Sequence, residues 1–165
     1  MVPFRGRFRE GRDKGFTIVE LLIVIVVIGI LALLVVTTYS GIQAKARNAK
    51  RQTDIQSLQT QFEAFFSQNG YYPSLTDVNT PSWVATNMKS LDTNALVDPS
   101  STCNPITTGC LVATPQAKAY SYAVFQSDGT TACETTDTTC AVYTLTATYE
   151  GTVNGSSTYT KSNLD

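Results

Sequence analysis

One stretch decides the fold of this chain: GFTIVELLIVIVVIGILALLVV, Gly15 to Val36. Leu21 to Val36 is an unbroken apolar run, and Thr17 and Glu20 are the only polar side chains after Gly15. Phe16 to Val36 gives 21 residues. An α-helix of that length spans about 30 Å, the hydrocarbon thickness of a bilayer. The stretch therefore predicts a membrane-spanning helix.

Glu20 is the one acidic side chain in this apolar stretch. A carboxylate inside a membrane helix costs on the order of 2.5–3.5 kcal/mol on insertion scales. Because of that cost, an acidic residue at such a position indicates a function and requires a partner. Glu20 is therefore the first candidate functional residue.

The flanks of the stretch predict its orientation. Residues 1–15 carry five basic and two acidic side chains, a net charge of +3, and the next basic residue is Lys45. Positive flanks stay on the cytoplasmic side, so we expect residues 1–15 in the cytoplasm and the chain after residue 40 to be exported. A secretory signal peptide has a similar pattern and is the alternative, with cleavage near residues 38–40.

The residues around Gly15 resemble the leader junction of a protein family. KGFTIVELL, Lys14 to Leu22, is similar to that junction in type IV pilins, a family that includes the pseudopilins of type II secretion and competence systems. There a membrane aspartyl peptidase, the prepilin peptidase, cuts after the glycine and methylates the new amino terminus. The resemblance implies cleavage between Gly15 and Phe16 and N-methylation of Phe16. A glycine suits the cut, since no Cβ keeps the peptidase from the backbone.

Cleavage would give Glu20 a partner. The freed α-amino group of Phe16 is cationic, and a carboxylate one turn from a helix start is favourable. The resemblance implies that this glutamate meets the amino terminus of a neighbouring subunit. We therefore expect Glu20 to act in assembly. The alternatives are that Glu20 acts only at its own helix start, or that its charged end reaches the membrane surface.

A second helical segment follows the apolar stretch. No Pro or Gly interrupts residues 42–69, and apolar side chains recur there mainly at steps of three and four: Ile42, Ala46, Ala49, Ile55, Leu58, Phe62 and Phe65. This spacing predicts an amphipathic helix that buries one stripe and stops at Asn69-Gly70. If it continues the apolar helix, one helix runs from Thr17 to Gln68. Four basic residues lie just past the membrane segment: Lys45, Arg47, Lys50 and Arg51. We expect them on a solvated face, with Lys50 paired to Asp54; complementary charge against a neighbouring subunit is the alternative.

The remaining residues predict a small head with a β-sheet. YYPSL, Tyr71 to Leu75, is similar to the segment after the long helix in many pilins, and a short helix is expected around Trp83 to Leu91. Alternating patterns predict antiparallel strands over Ala119–Gln126, Ala141–Glu150 and Ser157–Lys161. The predicted fold class is α+β: a long N-terminal α-helix, with a membrane half and an amphipathic half, packed on a small antiparallel β-sheet head, as in pilins.

Four cysteines lie in the exported part, as two pairs with six residues between the members of each: Cys103, Cys110, Cys133 and Cys140. Disulfides fit an oxidising compartment, and we prefer the local pairing among three connectivities. Each bridge would contribute about 2–3 kcal/mol in the chain-entropy model. Zinc is the rival, although these gaps exceed the usual two to four residues between ligands.

Composition argues against catalysis and against nucleic-acid binding. The chain has no histidine, the commonest general base and metal ligand, and the head shows no convergent catalytic constellation. Without residues 1–15, seven basic and eleven acidic side chains remain, a net charge of −4. We expect no enzyme, no cofactor, no metal and no nucleic-acid partner. The head aspartates are expected in turns; calcium binding, as in some pseudopilins, is the alternative.

The sequence thus predicts four regions: a cytoplasmic leader at 1–15, a transmembrane and fibre-core helix at 16–38, its amphipathic continuation at 39–69 and an exported head at 70–165. The resemblance implies a structural subunit of a type IV pilus or pseudopilus, polymerised through its helix. Its partners would be copies of itself, other pilins, the prepilin peptidase, an inner-membrane assembly platform and the membrane. It would move from the membrane, with its N-terminus cytoplasmic, into an extracellular or periplasmic fibre. A membrane-anchored extracellular binding module is the alternative.

Overall fold

The computed structural model describes residues 15–135 and 137–164. The chain divides after Gly41 into two units, residues 1–41 and 42–165. Helix α1 (Ile18–Asn69) has residues in both units. The continuous helix expected from Thr17 to Gln68 is confirmed to within one residue at each end. The leader expected before Gly15 lies outside the described residues.

In the first unit, the described residues are mainly the apolar part of α1. Its large apolar side chains between Phe16 and Val35 are 49–88% exposed. A helix that is apolar on every face needs a lipid or protein environment. Within residues 15–135 and 137–164, α1 is the single helix long and apolar enough to cross a membrane, judged by length and composition alone. The helix therefore fits membrane anchoring.

In the second unit, short helices follow the end of α1. They are α2 (Leu75–Val78), α3 (Pro81–Asn87) and a 3₁₀ turn (Thr93–Leu96). The helix expected at Trp83–Leu91 is thus shifted towards the N-terminus. Pro81 explains the earlier start, because its fixed φ and missing N–H suit the first position of a helix.

The sheet has three antiparallel strands in the order β1-β2-β3. They are β1 (Tyr120–Gln126), β2 (Cys140–Val153) and β3 (Ser156–Ser162). The turn between β2 and β3 has φ values of 51° at Asn154 and 82° at Gly155. Positive φ at both central residues is typical of a type I′ hairpin, which Asn-Gly favours. The predicted α+β fold with a long helix and a small antiparallel sheet is confirmed.

Aromatic rings join α1 to the sheet in the core of the head. The Phe62 ring centroid lies 4.7 Å from that of Tyr122 and 5.7 Å from that of Tyr143. Trp83 is partly buried against the same core, with its ring centroid 5.5 Å from that of Phe65. Four members of the predicted helix stripe are buried here: Ile55, Leu58, Phe62 and Phe65.

For the beginning of the stripe, the prediction of buried side chains is wrong. Ile42 is 59% exposed, and Ala46 and Ala49 are exposed as well. Asn48 and Arg51 are buried instead. These two residues continue the steps of three and four residues back from Ile55, so they share its helix face. The buried face of α1 is therefore polar at its start and apolar further along.

Candidate functional site

The start of α1 holds three predicted site residues, Gly15, Phe16 and Glu20. Thr17 precedes the first helical residue, and its hydroxyl accepts a hydrogen bond from the Glu20 N–H at 3.2 Å. The Glu20 carboxylate accepts bonds from the Thr17 N–H at 2.8 Å and from the Thr17 hydroxyl at 2.9 Å. This reciprocal pair is a capping box, which satisfies backbone donors left open at a helix start.

The capping box engages one oxygen of Glu20. Both bonds from Thr17 end on Oε2, and within the described part of the chain Oε1 accepts none. The structure thus gives Glu20 a role at its own helix start, one of the two alternatives to assembly. The assembly role stays a prediction, and one carboxylate oxygen is free for it.

The predicted cleavage point lies before the helix. Gly15 and Phe16 have no regular secondary structure and are exposed. A peptidase needs an extended, accessible backbone, and a bond inside a hydrogen-bonded helix offers neither. The geometry is compatible with cleavage between these residues, which stays a prediction together with N-methylation of Phe16.

A buried ion-pair cluster joins α1 to the rest of the head. The Arg51 side chain is 1% exposed and that of Asp98 is 0% exposed. Their contact is bidentate, with Nε–Oδ2 at 2.6 Å and Nη2–Oδ1 at 3.0 Å. Arg51 also donates to Asn48 Oδ1 at 2.7 Å and approaches Glu150 Oε1 at 2.9 Å. A buried guanidinium of this kind is tolerated because its donors are paired.

Glu150 connects the cluster to β2. Arg47 Nε donates to Glu150 Oε1 at 2.7 Å. The Asn48 side chain accepts a hydrogen bond from the Glu150 N–H at 3.0 Å and donates one to the Glu150 carbonyl at 3.1 Å. The hydrogen bonds from Arg47, and then those from Arg51 and Ser100, lower the pKa of Glu150 from 4.5 to about 2. The cluster therefore holds α1 against β2 over a wide range of pH.

Three basic residues of α1, Arg47, Lys50 and Arg51, thus form ion pairs within the head. The predicted pair between Lys50 and Asp54 is confirmed at 2.9 Å. Asp54 also accepts a hydrogen bond from the Tyr120 hydroxyl at 2.8 Å. The solvated face expected for this region is wrong for Arg51, which is buried, and Arg47 is paired with Glu150.

A row of polar contacts, here called the polar seam, ties α1 to β2, β3 and the C-terminal residues. The helix contributes Gln52, Gln56, Gln59 and Glu63, at steps of four, three and four residues. They contact Tyr149 Oη at 2.6 Å, Tyr159 Oη at 3.0 Å, the Ser162 carbonyl at 2.7 Å and the Leu164 N–H at 3.1 Å. The seam was not predicted from the sequence, although the helical spacing of its four residues on α1 is visible there.

Glu63 links the seam to the core. It accepts hydrogen bonds from the hydroxyls of Tyr72 at 2.9 Å and Tyr143 at 2.8 Å. Burial, followed by the hydrogen bond to Glu63, raises the pKa of Tyr143 far above its ordinary value. Tyr143 therefore stays protonated, and both tyrosine hydroxyls act as donors to Glu63.

The cysteines lie at two separate places on the head. Cys103 and Cys110 form a disulfide, with Cα atoms 5.8 Å apart. The Sγ atoms of Cys133 and Cys140 face each other, and the Cα atoms of these residues lie 5.9 Å apart. The structure thus brings together both pairs of the local connectivity, and the second bridge stays a prediction.

The aspartates of the head, which are predicted to lie in turns, accept hydrogen bonds from nearby backbone N–H groups. Asp92 accepts a bond from the Asn94 N–H at the 3₁₀ turn, and Asp128 accepts bonds from the Thr130 and Thr131 N–H groups. Asp98 also accepts a bond from the Ser100 N–H at 2.8 Å, and it belongs to the ion-pair cluster as well. Among the residues that the structure describes, no group of three or more His, Cys, Asp or Glu is placed to hold a metal ion.

The sequence of the helix start matches a family model. Residues 11–36 match the prokaryotic N-terminal methylation motif. The resemblance to the type IV pilin and pseudopilin family is confirmed. The matched residues include Gly15, Phe16, Thr17 and Glu20 and most of the exposed apolar part of α1.

Curated relatives of the pilin-like chain belong to two kinds of protein. Type II secretion system core protein G of Dickeya chrysanthemi is 40% identical over 65 residues, 39% of this chain and 42% of that protein. The same core protein of Pectobacterium carotovorum is 41% identical over 63 residues, 38% and 40% of the two chains. Type IV major pilin protein PilA of Myxococcus xanthus is 36% identical over 61 residues, 37% and 28% of the two chains.

Each similarity covers only part of the proteins compared. The chain spans less than half the length of the curated relatives it matches. No solved structure matches it significantly. The segment that these relatives share with the chain is therefore shorter than the head. The functions of the whole relatives cannot be assigned to this chain from that segment alone.

Proposed function

We propose that this chain is a structural subunit of a type IV pilus or a related pseudopilus. The observation that carries the proposal is the methylation motif at residues 11–36, which includes most of a helical stretch whose apolar side chains are exposed on every face. One motif thus combines a signal for processing the amino terminus with a surface that must be covered. Lipid covers this surface before assembly, and neighbouring copies cover it afterwards.

Processing is the first proposed step. A prepilin peptidase cuts between Gly15 and Phe16 on the cytoplasmic face of the membrane and methylates Phe16. The new amino terminus then lies one residue before Thr17, whose N–H and hydroxyl already hold Oε2 of Glu20. Oε1 remains available for a cationic group from another subunit.

Assembly is the second proposed step. An inner-membrane assembly platform moves subunits from the membrane into a fibre of this chain with other pilins. Glu20 pairs with the methylated amino group of a neighbouring Phe16, so that its charge leaves the lipid with a partner. The head remains outside, on an extracellular or periplasmic fibre. The four proposed regions are the leader 1–15, the fibre-core helix 16–38, its continuation 39–69 and the head 70–165.

The substitution Glu20→Gln tests the role of the charge. Glutamine at this position still accepts hydrogen bonds from Thr17, so the capping box is kept while the negative charge is lost. We expect normal leader cleavage and no fibres, measured by mass spectrometry and electron microscopy in cells with a prepilin peptidase and an assembly platform. Glu134→Gln, an exposed change in the head, is the matched control and should give normal fibres. Normal fibres from Glu20→Gln would contradict the proposal.

A further inference from the structure

A polar groove lies on the head beside the last turns of α1. Its volume is about 320 Å³, which falls within the range of pockets that hold small ligands. One wall consists of Gln61, Ala64, Phe65 and Gln68, which share one helix face, and the other wall is residues 86–90. Ala64 leaves a notch between the two glutamines because its side chain is small. Phe65 and Met88 are buried and form the apolar base.

The glutamines of the groove differ from the other glutamines on the same helix. Gln52, Gln56 and Gln59 use their amide groups in the polar seam. Within the described residues, the side-chain amides of Gln61 and Gln68 make no hydrogen bond, although Gln61 is half-buried. An amide held at a groove with no partner in the chain can bind a ligand without losing an internal contact.

The opposite wall adds hydroxyl, amide and ammonium groups. Asn87 donates its amide to the Trp83 carbonyl at 2.9 Å, and Thr86 donates to the Ser82 carbonyl at 2.9 Å. The side-chain oxygens of both residues therefore remain acceptors. Lys89 is the one charged residue among those that line the groove, and it is exposed. The groove thus offers donors and acceptors of neutral type together with a single positive charge.

These groups favour a sugar over other ligand classes. Peptides are commonly bound by a strand edge, by an apolar or aromatic groove or by a cluster of arginines. The groove described here is lined mainly by polar side chains of α1, α3 and a loop, and no arginine is among them. Single-stranded nucleic acid is bound by several cations with exposed aromatic rings, whereas this groove has one lysine and a buried phenylalanine. We propose that the groove binds a short acidic saccharide, with Gln61 and Gln68 at its hydroxyls and Lys89 at a carboxylate.

Titration of the full chain with trigalacturonate tests the proposal. The chain is labelled with ¹⁵N and held in micelles of a sugar-free detergent, and maltotriose is the neutral probe. We expect trigalacturonate to shift the side-chain amide signals of Gln61 and Gln68 and to bind more tightly than maltotriose. Gln61→Ala and Gln68→Ala should each raise the dissociation constant by about threefold to tenfold, the effect of one hydrogen bond. Lys89→Gln should remove the preference for the acidic probe.

Two controls make the result decisive. Gln116→Ala, an exposed glutamine outside the groove, should leave the dissociation constant unchanged. A triglutamate peptide, which matches the charge of the probe, should bind more weakly than trigalacturonate. The proposal is overturned if neither saccharide shifts these signals, if the Gln61→Ala and Gln68→Ala variants bind as the unchanged chain does, or if triglutamate binds as well as trigalacturonate.

Discussion

Arg51 is a charged side chain that the head buries almost completely. Its guanidinium contacts Asp98, Asn48, Ser100 and Glu150, so the charge is paired although water is excluded. Removing one partner of such a pair leaves a buried charge, which costs far more than the pair itself contributes. The stability of the head at this point therefore depends on complete pairing.

The substitution Asp98→Asn is expected to destabilise the head strongly. It keeps the shape of the side chain and leaves Arg51 without its bidentate partner, at a cost of roughly 3 kcal/mol in the free energy of unfolding. Asp92→Asn is the matched control, because asparagine caps a helix as well as aspartate does. Chemical denaturation followed by circular dichroism measures both. Equal stabilities of the two variants would contradict this account of the cluster.

Glu150 gives the head a dependence on acidic pH. Its pKa falls from 4.5 to about 2 on folding. A lowered pKa contributes stability that is fully present above pH 4.5 and is lost as the pH falls towards 2. We expect the melting temperature to fall over that window, and Glu150→Gln to have a lower melting temperature at pH 7 and a flatter profile. Glu134→Gln is the control and should show the same change of melting temperature with pH as the unchanged chain. If Glu150→Gln also shows that change, the proposed role of Glu150 in the cluster is wrong.

At the scale of elements, β3 is an edge strand with few buried side chains, and the polar seam fixes it to α1. The double variant Gln56→Ala, Gln59→Ala removes two seam contacts, each worth about 1 kcal/mol. Amide hydrogen exchange in β3 should become faster by on the order of tenfold to thirtyfold, with β1 unchanged.

The same helix supplies a matched control for the seam. Gln61→Ala, Gln68→Ala removes two amides that make no hydrogen bond to β3 among the described residues, and should leave exchange in β3 as it is. If the two double variants give equal exchange rates, the seam does not hold the strand.

The disulfide between Cys103 and Cys110 closes a loop that carries little regular structure. Loss of the bridge between Cys103 and Cys110, by Cys103→Ser with Cys110→Ser, should lower the free energy of unfolding by about 2–3 kcal/mol. For the pair Cys133 and Cys140, we expect a second bridge and therefore no free thiol. Mass spectrometry of the native chain after alkylation under non-reducing conditions measures this. An alkylated Cys133 or Cys140 would refute the second bridge.

Helices and strands could be predicted because each rests on a local pattern. The apolar steps from Ile55 to Phe65, the alternation along β1 and the Asn154-Gly155 turn all act within a few residues. The capping box also had a local signal, since Thr-x-x-Glu before an apolar run predicts it. The start of the helix stripe was predicted wrongly, because only apolar side chains were expected to be buried there.

The long-range contacts could not be predicted in the same way. Arg51 and Asp98 are 47 residues apart, and Arg47 and Glu150 are 103 apart. No local pattern says which acid meets which base across such distances. The helical steps that place Asn48 and Arg51 on the buried face were visible in the sequence, but their partners became known only from the fold.

At the scale of the whole molecule, the chain combines an apolar helix with a head that carries its own core. The first unit has large exposed apolar surface, and the second buries aromatic rings between α1 and the sheet. In the proposed assembly, the head would keep its own core while the apolar helix exchanges lipid contacts for protein contacts.

The most direct test is the intact mass and N-terminal sequence of the chain recovered from cells that carry a prepilin peptidase. We predict a chain that starts at N-methylated Phe16. A chain that still starts at Met1 would contradict the proposed processing and would indicate a static membrane anchor. A chain that starts near Gly41 would contradict it as well, since that product indicates a secretory signal peptide and a freely secreted head.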